Sequence, residues 1–280
     1  MTACRSRGWP QAPCGSAGRS LLAVGVAAFS LLIATDLGNA TIPGQASSPI
    51  HRQTIVLYDG ARGGTPDTQG MVYSALPIPS QATQTYSGGV TTLDTNVRQL
   101  DQAGYSVTPT LALTLSRATG FTLTFTTQVV TETHSGTDRN GDGIDDRAGL
   151  SVILLGEDRQ GIELGFWPGE IWAQDDGAAE PPGGTLFTHA EGVTFDTTAG
   201  LVTYDLSVST GTYTLSVGGV TILGGDVRDY TAFSGVINPY QTPNFVFLGD
   251  DSTSAKGTIR LSFVALSVTG YKIFLPLIAR

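Results

Sequence analysis

Cysteine is almost missing from this chain, and the two that exist, Cys4 and Cys14, both precede an apolar stretch, Ser20–Ala34. Arg5, Arg7 and Arg19 supply a basic n-region, Ser20–Ala34 an h-region, and Gly38-Asn39-Ala40 the small residues of a cleavage site. This three-part layout predicts a secretory signal over 1–40 and export to the extracellular space or cell surface. The mature chain then begins near Thr41 with no thiol, so no disulfide can hold it although its compartment would allow one. A large core, a bound metal or both must do that work, and roughly 240 residues are ample for one core.

Long hydrophobic runs are lacking too. The h-region is about 15 residues, short of the roughly 20 that span a bilayer, and the tail Tyr271–Arg280 is shorter still, so no membrane span is expected in the mature chain. Neither a Leu-x-x-Cys lipobox nor a Leu-Pro-x-Thr-Gly sorting motif is present.

Basic residues are scarce: 15 Lys+Arg stand against 24 Asp+Glu. Three of the basic residues and one acidic residue lie before Thr41, which leaves the mature chain near −11. Such a surface repels nucleic acid and anionic lipid, and it suits divalent cations and neutral glycans. No residue pattern specifies an oligomeric state. His134 and His189 have no sequence neighbours that would mark a triad or a zinc site, and neither Gly-x-Ser-x-Gly nor His-Glu-x-x-His occurs.

What the chain has in abundance is two-residue alternation, while amphipathic helical periodicity is missing. Phe121, Leu123 and Phe125 alternate with threonines; Tyr204, Leu206 and Val208 follow the same rule, as do Tyr213, Leu215 and Val217. Ile259, Leu261 and Phe263 repeat it near the end. Such runs are strands with one buried face. Gly218-Gly219 between two of them predicts a hairpin, because glycine tolerates the positive φ of tight turns. About a dozen runs with turn-rich links predict an all-β fold, an antiparallel two-sheet jelly-roll sandwich over 54–270. A flexible lead-in is expected at 41–53, a surface loop at Gly177–Gly184, one helical turn at most within Asp226–Phe233, and a separate tail at 271–280 that serves as an edge strand or an attachment segment.

One motif carries metal chemistry. Asp138, Asn140 and Asp142 stand at positions 1, 3 and 5 of a calcium-type loop, Gly143 at the sharp turn, Ile144 where a backbone carbonyl serves, and Asp146 at position 9. Calcium needs several hard oxygens, and alternate residues of a tight loop converge them. Position 12 is Gly149 and no helix is expected to flank the loop, so this is no EF-hand; it looks more like the short Asp-rich loops of thrombospondin type 3 and dockerin modules. A structural Ca2+ is expected there, with Asp250 and Asp251 as a second, weaker site.

Glu163, Glu170, Asp175 and Asp176 cluster around Trp167 and Trp172. Jelly-roll glucanases place Glu-x-Asp-x-Glu on one strand face, whereas the frame from Glu170 reads Glu-Ile-Trp-Ala-Gln. An unbroken strand puts Glu170 and Asp175 on opposite faces. Glycosidase chemistry is therefore not expected. Trp167, Glu170 and Trp172 remain as candidate ligand-binding residues; the tryptophans stack on a sugar or fill the core, and Pro168-Gly169 is expected to break the strand between them.

Leu57-Tyr58-Asp59-Gly60, the loop 138–147, Gly161–Trp167, Leu186–Gly192 and Pro243–Asp251 together resemble the choice-of-anchor Y domain over about 55–269. That resemblance implies a bacterial secreted or surface domain followed by an anchoring signal, and the Leu-Pro-containing tail is similar to short ends of some secreted bacterial proteins. The hairpin 213–223 and the final strand also resemble concanavalin A-like lectin/glucanase sandwiches, including laminin G-like and pentraxin domains, which commonly bind glycans or proteins, often with calcium at a sheet rim. The resulting expectation is a non-enzymatic sandwich that binds a glycan or a surface partner. A glycan-active enzyme and a structural envelope or matrix component are the alternatives.

Overall fold

The computed structural model describes residues 51–107, 114–134 and 136–270. The expected signal, most of the lead-in and the tail fall outside them. Fifteen strands follow in order: β1 (His51–Asp59), β2 (Val72–Leu76), β3 (Thr83–Ser87), β4 (Val90–Asp94), β5 (Gln102–Ser106), β6 (Phe121–Thr133), β7 (Ser151–Leu155), β8 (Gly161–Phe166), β9 (Glu170–Gln174), β10 (His189–Thr194), β11 (Val202–Ser209), β12 (Thr212–Val217), β13 (Val220–Asp226), β14 (Val246–Asp250) and β15 (Lys256–Gly270). Among the described residues helix is confined to single 3-10 turns, one of them Tyr230–Ala232.

The strands form two antiparallel sheets, the jelly-roll sandwich that alternation predicts. The first runs β13-β12-β11-β6-β15-β4-β3, with β1 also paired to β15; the second runs β10-β9-β8-β7-β14-β5-β2. Between them lies one core, in which Phe121, Leu123 and Phe125 of β6 and Tyr204, Leu206 and Val208 of β11 meet Ile162, Leu164 and Phe166 of β8. Phe125 stacks on Tyr204 at 5.2 Å, and Phe166 meets both rings edge-on. Burying each such side chain contributes about 1.5–3 kcal/mol, which lets a core of this size stand without a disulfide. On the other face of the first sheet the intervening polar residues bond across strands: Thr122 with Ser207, Thr124 with Asp205, and Thr126 with Thr203. These cross-strand pairs explain the abundance of threonine.

Gly218 and Gly219 take φ of 58° and 80° in the β12–β13 hairpin, as expected. Two expectations need correction. The lead-in ends before residue 51, because β1 starts there; His51–Gln53 pair with Val268–Gly270, and backbone pairing holds Arg52 and Gln53 at an exposed position. Phe263 does not continue the inward row of Ile259 and Leu261. The register shifts by one residue around Ser262, opposite Thr126 and Thr127, so Val264 and Leu266 are buried and Phe263 is only half-buried. A bulge of one residue reverses face parity for everything beyond it.

In the second sheet β7, β8 and nearly all of β9 are buried on both faces. Their outer side is covered by a smaller core, in which Ile153 and Leu155 meet Leu186, Phe187, Tyr230 and Tyr240 from the loops after β9 and β13.

Candidate functional site

The outer face of the second sheet is only partly covered, and the uncovered part is a cleft of about 880 Å3. Its walls come from the capping loops on one side and from β2, β5 and the turn Asp251–Ser254 on the other. On its floor β14 contributes Phe247 and β8 contributes Glu163.

Glu163 sits in the middle of an apolar strand, and register explains how it is tolerated. It lies opposite Ile153 on β7, while on the other side β9 presents Gln174. The Gln174 Nε2 donates to Glu163 Oε1 at 2.7 Å, and the Tyr240 hydroxyl donates to Oε2 at 2.5 Å. The Glu163 N–H donates to the Tyr230 hydroxyl at 3.1 Å, which itself donates to the Gln174 carbonyl at 2.9 Å. Arg147 closes the network: its Nη1 donates to Gln174 Oε1, the Phe187 carbonyl and the Asp146 carbonyl, and its guanidinium lies 5.6 Å over the Phe187 ring. Burial, and next the charge of neighbouring Asp251, push the Glu163 carboxyl well above its usual range. Burial raises Asp251 too, against the pull of the Arg147 guanidinium. Each carboxyl also disfavours the ionised form of the other. Tyr230 and Tyr240 are raised by burial and by the same glutamate.

Of the pair expected as a second metal site, Asp250 is buried and accepts from the Thr95 hydroxyl at 2.6 Å and the Ser252 N–H at 3.0 Å, closing a turn. Both Asp250 and Asp251 line the cleft, Asp251 beside Glu163.

A second cluster lies where β9 and β10 meet the end of β6 from the other sheet. The Pro168-Gly169 turn folds the strand back, so Trp167 and Trp172 meet with ring centroids 5.3 Å apart. His134 stacks on Trp167 at 4.2 Å and His189 on Trp172 at 4.6 Å. Each histidine has a carboxylate partner, Glu132 at 2.6 Å and Glu170 at 3.1 Å. Trp172 is fully buried and offers no ring face to a ligand; Trp167 and Glu170 are half-buried. Glu170 shares the outer face with Glu163, but it stands four positions along β9 from Gln174, about 13 Å of backbone at strand rise.

In the loop 138–146, Asp138 accepts the N–H groups of Gly141, Asp142 and Gly143, and Asp142 accepts that of Ile144. The Asn140 amide donates to Asp142 at 2.9 Å. These bonds, the Ile144 N–H first, hold the Asp142 carboxyl below its usual range. Asp146, the remaining expected ligand, is instead buried and accepts from the N–H groups of Arg139 and His189, tying the loop to β10. Among the described residues no three His, Cys, Asp or Glu side chains gather in a metal-holding group. Asp138 and Asp142 are exposed and Asn140 is half-buried; their hard oxygens, with the Ile144 carbonyl, have the chemistry calcium takes.

Sequence reasoning missed Arg147, Tyr240 and Phe247. The available signal was a lone glutamate inside the apolar run Gly161–Phe166, since a buried carboxyl needs partners.

No protein family matches the chain, and no curated protein does. Among solved structures it is similar to the carbohydrate esterase vb_24B_21 from the Shiga toxin-encoding bacteriophage phi24B, at 11% identity and TM-score 0.48, covering 78% of this chain and 100% of that one. It is similar to a family 29 carbohydrate-binding module at 10% identity and TM-score 0.36, covering 78% and 90%. The alginate lyase A1-II', of polysaccharide lyase family 7, is a third, at 14% identity and TM-score 0.39, covering 79% and 95%. Binding modules and carbohydrate-active enzymes thus both occur among these structures.

Proposed function

We propose that this is an exported, non-catalytic β-sandwich of the choice-of-anchor Y type that binds a glycan in the cleft on its second sheet. The cleft itself carries the reading. Concave sites that combine aromatic walls with a few fixed polar groups are where small polar ligands bind, and here phenylalanine and tyrosine rings surround Glu163, Asp251 and Arg147. Export rests on the layout of residues 1–40. Intact mass of the secreted protein should correspond to a start near Thr41, with Cys4 and Cys14 absent; their retention would refute export with cleavage.

Catalysis is not part of this reading, because the Glu163 oxygens are engaged by Gln174 and Tyr240 and Glu170 is engaged by His189. The Glu163–Asp251 pair favours the alternative, an enzyme that uses a protonated carboxyl. A panel of β-glucans, galactans and xylans separates the two. Binding without release of oligosaccharide is expected, and release that is lost in Glu163→Gln would establish the enzyme instead.

The reading includes a structural calcium ion on Asp138, Asn140, Asp142 and the Ile144 carbonyl. If the loop binds with a dissociation constant of about 0.1 mM, 1 mM calcium adds about 1.4 kcal/mol. The melting temperature should rise with calcium, and Asp142→Ala should abolish the rise. Identical melting in chelator and in millimolar calcium would sink this part.

A further inference from the structure

We infer that the cleft contains a stacking subsite for a neutral, polyhydroxylated sugar ring, with Phe247 as the platform and Asp251 and Arg147 as the groups that read its hydroxyls; this rests on the glycan reading above. The observation is the side-chain content of the sheet under the cleft. On the outer face one row of registered residues runs Gly165, Ser151, Gly249, Gly104 and Ser74 across β8, β7, β14, β5 and β2. The sheet is therefore low there, and a large ring beside that row is free to lie over it. Phe247 is that ring. Its far edge lies directly over Gly104, where an added Cβ would stand 2.4 Å from Cζ and 2.5 Å from Cε2. Gly104 is thus the residue that lets Phe247 settle onto the sheet, and Phe247 stays half-buried with its remaining surface in the cleft. Edge-on packing between sheets, as in the main core, would bury such a ring completely.

Charge selects the ligand class. At the rim Arg139 is paired with Glu180 at 2.9 Å. On the floor Arg147 donates to carbonyl and amide oxygens and, among the described residues, makes no ion pair, while Glu163 and Asp251 sit within its field. A ligand of net charge would be desolvated against a partner of its own sign, which is costly. A sugar carries no charge, can donate hydroxyl protons to Asp251 and accept from Arg147, and presents a C–H face to the Phe247 ring.

The test is calorimetric binding of neutral oligosaccharides (β-glucan, xylan, galactan and mannan fragments) and of an oligouronate to the secreted protein and three variants. Phe247→Leu keeps apolar volume but removes the ring, and Phe247→Ala removes both. His134→Ala alters the aromatic cluster outside the cleft. At least one neutral ligand should bind, with affinity little changed between 50 and 500 mM salt. Both Phe247 variants should lose at least tenfold while keeping a cooperative melt, and His134→Ala should keep wild-type affinity. Binding that survives in Phe247→Leu, or that is lost in His134→Ala alone, would overturn the subsite and leave the glycan reading standing. Preference for the oligouronate with steep salt dependence would overturn the neutral class. Absence of binding to every sugar would overturn the subsite together with the reading beneath it.

Discussion

Trp172→Ala is expected to destabilise the sandwich by about 3–5 kcal/mol, the usual cost of removing a large buried ring. Gly165 lies opposite Trp172 on β8, and an added Cβ there would reach 2.6 Å from the indole; Gly192 faces it from β10. With glycine on both sides, neither flanking strand has a side chain to fill the space, and Trp167 and His189 would lose the ring they pack on. Urea unfolding of Trp172→Ala and Trp172→Phe measures the effect, the phenylalanine variant being the milder. A loss below about 1 kcal/mol for alanine would show that the stack carries no packing energy.

The second large effect concerns pH. The Glu163 pKa is raised in the folded protein, so over the interval from the ordinary glutamate range, about 4.3, up to its raised value the native state holds a proton that the unfolded chain has released. Stability must then fall as pH rises through that window, by up to about 1.4 kcal/mol per pH unit for one proton. Asp251 is shifted in the same direction and adds to the slope. Glu163→Gln mimics the protonated carboxyl, can still accept from Tyr240 or Gln174, and should flatten the profile and exceed the wild type in stability at neutral pH. Glu163→Leu should instead cost about 1–3 kcal/mol for each polar partner left unpaired. A wild-type stability that climbs with pH across this interval would contradict the arrangement. Denaturant titrations at half-unit pH steps give the answer.

The two variants also show how legibility was divided. Strand existence, the Gly218-Gly219 hairpin and the orientation of β6, β11 and β12 follow from alternation, because each is decided by which face a residue presents to one core. Phe263 was misjudged because a bulge is set by the partner strand, which periodicity within β15 does not contain. The cleft was hidden for a related reason. Glu163 finds Tyr240 77 residues away, and Gly104 matters only because Phe247 lies over it. Glu163 was read against carboxylates near it in sequence, yet its chemistry comes from a cap that also buries the second face of β8.

β15 has a consequence of another kind. Its first part pairs with β4, its second part with β1, and all but its last two residues lie within the stretch paired with β6, so three segments of the first sheet have their partner in the last strand described. His51 cannot meet Gly270 until more than two hundred residues of chain lie between them. Sheets built from such distant pairings fold slowly, and this one cannot be completed until β15 has been made. In the export proposed above, a chain that stays open until β15 arrives remains threadable through a translocation channel and folds on the far side of the membrane.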